Sequence, residues 1–258
     1  MAMTKTDEEI DVMRRGGKIL SDALRVAVEM VAPGVKLSEL NEAAEDYMRA
    51  QGATPSFLGY KTTKHDPPFP SAVCISVNDE IVHGCGNRPI PLRKGDVVGL
   101  DIGCWYEGFC TDMAVTVGVG EVSDEARRLM NVTKEACLRA VAGIRVGGTV
   151  ADVGRIVEEV VHPHGYGIIR SLVGHGVGHE VHEDPRIPNF YESKNERIFF
   201  VENMCVAIEP MIALGSYEVT TKSDGWSVVM LDGSLGAHFE VTLAIHAGGP
   251  EILTPLPV

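Results

Sequence analysis

The chain carries the same pattern of helices and turns twice, which restricts the folds open to it. In each half, a helix leads through a glycine turn to a second helix, and extended segments follow. Gly34 and Gly147 are 113 residues apart, as are Gly52 and Gly165, and the apolar positions between them agree. Two helix–turn–helix units could also look alike by chance. We favour an internal duplication, with pseudo-repeats over about 7–120 and 121–250, because capping, turns and apolar positions all agree.

The helix and strand patterns predict an α+β fold. Thr6 and Glu9 form a capping box before the first helix, and a second helix is predicted over about 37–50. Ser123 and Thr149 cap the corresponding pair in the second half. Strand-like segments cover 73–77, 96–102, 113–119, 204–208, 227–231 and 238–245. We expect one domain over 1–258, with a curved, mainly antiparallel sheet and helices on its outer face.

Composition narrows the function. The chain has 258 residues and a formal net charge of −13, which argues against DNA or other broad nucleic-acid binding. It has no apolar run near the roughly 20 residues that cross a bilayer, and acids stand where a signal peptide needs apolar residues. These features predict a cytoplasmic protein without a membrane partner. The six cysteines form no CxxC pair, so reduced thiols are expected.

Five residues of metal-ligand type stand well apart in the chain. They are Asp101, Asp112, His175, Glu209 and Glu240. Four are acids, and charged acids are rare in apolar segments unless they have a partner. A pair of divalent cations is the plainest partner for so many oxygens. The pattern therefore predicts a two-metal hydrolase.

Each acid also has a simpler interpretation. Asp101 and Asp112 flank a turn that a hairpin would close, but they could be strand-end acids bonded to turn amides. Glu209 closes an apolar run and needs a cation or hydrogen bonds. Alternation puts Glu240 on one face with His238 and Thr242, and that face could be solvent.

The segment 174–183 has three histidines among glycines, which is typical of metal or proton chemistry. It is not the HExxH helix of zinc peptidases, since Glu183 stands where the second histidine would be. Its glycines also make a helix unfavourable. His83 is a lone histidine at a strand end, and such residues are more often structural than catalytic.

Together these residues resemble one family. The order His83, Asp101, Asp112, His175, His182, Glu209, Glu240, with HGxGxxxH, IEPM and FEVT contexts, is similar to that of type I methionine aminopeptidases. The resemblance covers nearly the whole chain and implies their duplicated pita-bread fold. Only 26 residues separate His182 from Glu209, so the long insertion of the type II enzymes is absent.

The resemblance implies a ligand set for two cations. Asp112, His175, Glu209 and Glu240 would hold one, and Asp101, Asp112 and Glu240 the other. Bridging requires carboxylates, because one imidazole nitrogen cannot serve two ions. Two cations roughly 3.5–4 Å apart can share a water and lower its pKa. Cobalt, manganese, iron or zinc would suit this set.

It also implies catalytic roles. Glu209 would shuttle a proton, His83 would bond the scissile amide, and His182 would steady the oxyanion. A monovalent cation is expected near Asn78.

The methionine side chain would lie in an apolar pocket. Its expected members are Tyr60, Phe69, Cys74 and Trp226, although ordinary packing would also explain all four. The chain departs from common family members at Phe57, Phe69, Val181 and His238, and in an apparent insertion over 61–68. None of these departures is expected to touch the metal ligands.

The resemblance therefore implies an enzyme that removes the initiator methionine from nascent chains whose second residue is small. The resemblance implies a monomer, and the role implies contact with the ribosome. One alternative is an Xaa-Pro aminopeptidase or prolidase of the same fold, although those enzymes have an arginine just before the last glutamate, where this chain has His238 and Phe239. The other is a non-catalytic binding protein on the pita-bread scaffold.

Overall fold

A computed structural model of the protein describes residues 3–64 and 67–257. The α-helices are α1 (Asp7–Met30), α2 (Leu37–Ala50), α3 (Asp124–Gly143) and α4 (Val150–Val161). Two short 3₁₀ helices cover His162–His164 and Ser193–Arg197. Within the described ranges, no helix is both long and apolar enough to cross a membrane.

The strands are short except for one central hairpin. In the first half they are β1 (Thr54–Pro55), β2 (Val73–Val77), β3 (Glu80–Val82), β4 (Val97–Tyr106) and β5 (Phe109–Gly118). In the second half they are β6 (Gly167–Ile168), β7 (Gly174–Gly176), β8 (Glu183–Ile187), β9 (Cys205–Ile208), β10 (Met211–Ala213), β11 (Val219–Thr221), β12 (Val228–Met230), β13 (Gly236–His238), β14 (Glu240–His246) and β15 (Gly249–Ile252).

The predicted helix starts are confirmed by their caps. The Thr6 hydroxyl accepts from the backbone N–H of Glu9 at 3.2 Å, and the Glu9 carboxylate accepts from Thr6 N–H at 2.7 Å. Ser123 caps α3 in the same way through the N–H of Ala126. These bonds satisfy N–H groups that have no partner within a helix. Each helix then buries one apolar face.

A nine-stranded sheet forms the centre of the molecule. Its order is β1-β4-β5-β14-β9-β7-β8, with β2 also on β4 and β15 also on β14. The strand pairs are antiparallel, and α1 and α3 pack against the central strands. Two three-stranded sheets, β13-β10-β6 and β11-β12-β3, flank it. The predicted α+β fold with a curved antiparallel sheet is thereby confirmed.

The two halves meet where β5 pairs with β14. The α1–α2 and α3–α4 connections begin after Met30 and Gly143 and end before Leu37 and Val150, so both follow the 113-residue offset of the sequence. A common origin of the halves stays a prediction. Their junction brings side chains from distant parts of the chain together.

Candidate metal centre

Strand register aligns three of the predicted ligands. Asp101 on β4 and Glu240 on β14 both pair with Ala114, on opposite sides of β5. Asp112 lies two residues before Ala114, and side chains two apart on a strand point to the same face. The three carboxylates therefore share one face of the sheet across the junction of the two halves.

His175 and Glu209 join this face from the other side of β14. His175 pairs with Ala207 on β9, and Ala207 pairs with Thr242, two residues from Glu240. Glu209 follows two residues after Ala207, and its Oε1 lies 3.4 Å from His175 Nε2. His175 Nδ1 lies 2.8 Å from the Gly176 carbonyl oxygen. If Nδ1 carries the proton and donates it there, Nε2 presents its lone pair to the acids.

Glycines allow the histidine strand to approach its neighbours closely. A Cβ atom on Gly174 would overlap the carbonyl oxygen of Ala207, and one on Gly176 would overlap that of Asp184. Close backbone approach of this kind requires glycine. The glycines on either side of His175 therefore bring its imidazole up to the acids of the central strands.

Burial and mutual repulsion keep these acids from ionising easily. Burial raises the pKa of Asp101 to about 7. Burial, together with the neighbouring carboxylates, raises the pKa values of Asp112, Glu209 and Glu240 well above their usual range. Burial and the nearby His182 lower the pKa of His175 to about 3, so its ring is neutral at pH 7. Four acids and a neutral imidazole in one place suit positive ions.

Several carboxylate oxygens of this cluster have no hydrogen-bond partner among the described residues and are therefore free to bind a cation. Asp101 Oδ1, Asp112 Oδ1 and Glu240 Oε1 are buried and accept no hydrogen bond within the part of the chain that is described. Ligand atoms of Asp112, His175 and Glu240 lie within 4.8 Å of one another. Buried oxygens left like this are unfavourable unless something positive binds them. The donor set therefore fits divalent cations.

A cavity of about 560 Å³ opens onto the acids and includes His83 and His182 in its lining. His83 has a φ of 59°, in the left-handed region that costs a non-glycine residue energy. Burial, with His182 nearby, lowers the pKa of His83 to about 4, so its ring is neutral at pH 7. Both predicted catalytic histidines thus share one cavity with the acids.

His182 lies between His175 and an aromatic side chain. Its ring centroid is 4.5 Å from that of His175, and its Nδ1 is 2.9 Å from the Tyr60 hydroxyl. A hydroxyl that donates to Nδ1 would place the proton of the neutral ring on Nε2. Tyr60 is therefore both a cavity wall and a hydrogen-bond partner of His182.

The cavity also has an apolar side. It is lined by Phe57, Tyr60, Phe69, Cys74 and Trp226. The rings of Phe69 and Trp226 meet edge to face, with centroids 5.2 Å apart. Cys74 on β2 pairs directly with Asp101, so this side adjoins the acids. The four predicted pocket residues are brought together, and Phe57, which was noted only as a departure, joins them.

A hydrogen-bonded turn holds Trp226 over the cavity. The Asp224 carboxylate accepts from the backbone N–H groups of Trp226 and Ser227 at 2.8 and 2.9 Å, and from the Ser227 hydroxyl at 2.6 Å. Such turns are favoured by aspartate because its short side chain reaches the backbone two residues on. The turn closes the hairpin of β11 and β12.

Other predicted features lie outside the cavity or stay open. His179 contacts Phe109 and is not among the cavity residues. Asn78 uses its side chain within the fold, because its Oδ1 accepts from Val97 N–H and its Nδ2 donates to Asp96. The monovalent cation near it stays a prediction. Two residues of the 61–68 segment, 65 and 66, lie outside the described residues.

Sequence reasoning missed His238. It was set apart from the metal ligands, yet its Nε2 lies 3.7 Å from Glu240 Oε2 and 3.8 Å from Glu209 Oε2. Its nitrogen and oxygens of Asp101 and Glu240 form a second group of possible ligand atoms within 4.8 Å. The alternation that puts it on the face of Glu240 was the available indication.

Comparison with known proteins assigns the family. The model of "Metallopeptidase family M24" matches residues 11–247, so the chain belongs to metallopeptidase family M24. The chain is 41% identical to a methionine aminopeptidase of Clostridium acetobutylicum, over 98% of this chain and 99% of that one. The crystal structure of a methionine aminopeptidase from Thermotoga maritima matches with a TM-score of 0.93 and 37% identity, covering 98% of this chain and 99% of that one.

The resemblance to methionine aminopeptidases is thus confirmed, and the chain is a metal-dependent hydrolase of that family. A prolidase from Pyrococcus furiosus is a more distant match, with a TM-score of 0.78 and 25% identity. It is matched over 98% of this chain but only 65% of its own length. The comparisons support the methionine aminopeptidase interpretation over the Xaa-Pro peptidase and the non-catalytic binding protein.

Proposed function

We propose that the chain removes the N-terminal methionine from nascent proteins whose second residue is small, with two divalent cations in the cavity. The observation that carries this proposal is the meeting of the five ligand-type residues beside an apolar pocket. His175, Asp112, Glu209 and Glu240 would hold one cation, and Asp101, Asp112 and Glu240 the other. Bound there, the cations would supply Lewis acidity and lower the pKa of a shared water.

The protein's own groups handle the substrate and the proton. His83 and His182 line the cavity beside the acids, where a peptide bond has to lie. With its neutral ring, His83 can donate to the scissile amide without bringing a charge into the cavity. His182, with its proton on Nε2, can donate to the carbonyl oxygen as negative charge develops there.

Glu209 is suited to hold and release a proton. Burial and the nearby carboxylates raise its pKa well above the usual range, so its side chain takes up a proton readily. Its two oxygens face different imidazoles, with Oε1 toward His175 and Oε2 toward His238. Glu209 also lines the cavity, so a proton that it holds can pass to the leaving amine of a peptide bound there.

The apolar side of the cavity would select methionine. A thioether is flexible and packs well against the edges of aromatic rings, here those of Phe69 and Trp226. Cys74 adds a small soft contact next to the acids. Because burial raises the pKa of the Cys74 thiol, the thiol is neutral and brings no charge into the pocket. A peptide whose N-terminal methionine side chain lies in this pocket would have its first peptide bond beside the metal-ligand residues.

The test is cleavage of a peptide set by protein loaded in turn with cobalt, manganese, iron or zinc. We expect Met-Ala-Ser to be cleaved, Met-Lys-Ser to be cleaved far more slowly, and Xaa-Pro peptides not at all. Cleavage of Xaa-Pro peptides in preference to Met-Ala-Ser would overturn the proposed substrate. We also propose that the protein acts as a monomer at the ribosome; ultracentrifugation and co-sedimentation with ribosomes test these two points.

A further inference from the structure

His238 is rigidly placed at the edge of the acid cluster. It ends β13 and pairs with Met211 on β10. Its backbone N–H donates to the Thr116 hydroxyl at 2.8 Å, and that hydroxyl donates to its carbonyl oxygen at 2.8 Å. The residue is only 3% exposed. These bonds fix the backbone of His238, and its burial leaves the imidazole little room to turn away from the acids.

The imidazole nitrogen that faces the acids has no hydrogen-bond partner among the described residues. Its distances of 3.7 Å to Glu240 Oε2 and 3.8 Å to Glu209 Oε2 are too long for hydrogen bonds. They are close to the spacing of two atoms that bind one ion, since ligands about 2.1 Å from a tetrahedral metal lie about 3.4 Å apart. A buried nitrogen without a partner is unfavourable, and a cation would remove that cost.

The ligand set that the resemblance implies gives the two cations different kinds of ligand atoms. One cation would have an imidazole, from His175, while the other would have only carboxylates. Yet ligand atoms of Asp101, Glu240 and His238 lie within 4.8 Å of one another, as do those of Asp112, Glu240 and His175. Glu240 is common to both groups. The structure therefore offers one imidazole on each side of a shared carboxylate.

We propose that His238 Nε2 is a ligand of the cation held by Asp101 and Glu240, so that each cation has one nitrogen ligand. This inference rests on the proposed function, because it assumes the same pair of cations. A second imidazole makes the centre softer than a carboxylate set and favours zinc, cobalt or iron over manganese.

The experiment is a cobalt titration of metal-free wild-type protein and of the variants H238A and H238Q, followed by equilibrium dialysis and visible absorption. Wild type should bind two cobalt ions. In H238A one of the two should bind at least about tenfold more weakly, because a ligand is lost. In H238Q the absorption of the same equivalent should change as an amide oxygen replaces the nitrogen. H164Q, an exposed histidine outside the cavity, is the matched control and should behave as wild type.

The outcomes separate this inference from the proposed function. If folded H238A binds both cobalt ions with wild-type affinity, or if H238Q has the wild-type spectrum, His238 is not a ligand. Circular dichroism of each variant shows whether it is folded. Cleavage of Met-Ala-Ser by wild type tests the function independently. Wild-type cleavage with unchanged H238A loading would overturn only the ligand role. An inactive wild type whose cobalt binding depends on His238 would overturn only the function.

Discussion

Buried acids in two regions of this protein have opposite surroundings. Glu80 on β3 is 5% exposed, while Asp112 and Glu240 in the cavity are 3% and 2% exposed. Glu80 accepts two bonds from Arg88, at 2.6 and 2.7 Å, and one from Lys222 at 2.8 Å. The cavity acids have oxygens without any such partner in the described chain.

The pKa values follow from these surroundings. Burial alone raises the pKa of Glu80, but the bonds from Arg88 and Lys222 outweigh it and hold that pKa below its usual range. For Asp112, burial raises the pKa and the charge of Asp101 raises it further. Similar burial therefore has opposite results, because among the described residues Glu80 is bonded to the cationic side chains of Arg88 and Lys222 while Asp112 faces another acid. The comparison teaches that the cavity acids are arranged for a cation from outside the chain.

The largest effect should come from removing a bridging carboxylate. D112N or E240Q should reduce turnover to the background rate and lower the cobalt bound per chain, because both cations share these residues. Kinetics with Met-Ala-Ser and dialysis measure this. E80Q is the control and should keep its metal content. Full activity of D112N or E240Q would contradict the bridging roles.

The variants E80Q and D112N should have opposite effects on the stability of the metal-free protein. E80Q should lower the free energy of unfolding by about 3 kcal/mol, because it leaves the charge of Arg88 without a buried partner. D112N should leave the stability of metal-free protein unchanged or raise it, since it removes a repelled carboxylate. Urea unfolding measures both. The control E29Q, in an exposed pair with Arg25, should cost less than about 0.5 kcal/mol. A destabilised metal-free D112N would break the comparison.

Stability should also depend on pH and metal together. The pKa of Asp101 is raised to about 7 in the folded protein, so its contribution is present below the unfolded value of about 3.9 and is lost as pH rises through 7. The pKa values of His175 and His238 are lowered to about 3, so these residues make stability rise with pH, but only below the unfolded pKa of about 6.5. Above pH 6.5 only the acids with raised pKa values still make stability depend on pH. The free energy of unfolding of metal-free protein should therefore fall by about 1–2 kcal/mol between pH 6.5 and pH 8.

Thermal melting at pH 6.5 and pH 8, with and without cobalt, checks this expectation. Bound cobalt should remove the loss, because a cation replaces the proton on the acids. D101N should reduce the loss in the metal-free protein. A metal-free protein whose melting temperature is constant over this range would show that Asp101 already has a partner.

The smallest effect concerns a polar cavity group that does have a partner. Y60F removes the bond to His182 Nδ1, which is worth about 1 kcal/mol, so kcat should fall about fivefold with little change in KM. Y191F removes a hydroxyl that donates to Glu196 on the surface and should leave both constants unchanged. A wild-type kcat in Y60F would show that His182 needs no orientation from Tyr60.

Much of the fold could be predicted because its information is local. The capping box at Thr6 and the glycine turns mark helix ends within a few residues of sequence, and the structure has α1 and α2 where they were expected. The strand β5 was predicted to begin at Met113 but begins at Phe109, since pairing with β4 extends it. Pairing partners are distant in sequence, and strand ends depend on them.

The candidate site divides in the same way. Residue type alone marked Asp101, Asp112, His175, Glu209 and Glu240, because charged groups in apolar segments need partners. The environment of His238 was misjudged because its distance to Glu209 depends on how three strands meet. Likewise, sequence could not show that Tyr60 bonds His182, 122 residues away.

The sequence by itself determined the helices, the kinds of ligand atoms and the family, because these follow from neighbouring residues and from motifs. Only the tertiary structure decided that Asp101 and Glu240 flank Ala114 from opposite sides. It also decided that, among the described residues, no side chain donates to Asp101 Oδ1 or Glu240 Oε1 as Arg88 donates to Glu80. The physical reason is that register and burial are set by pairing between strands far apart in the chain. Strand register and burial therefore decide which buried acids have a cationic partner within the protein and which need a metal ion.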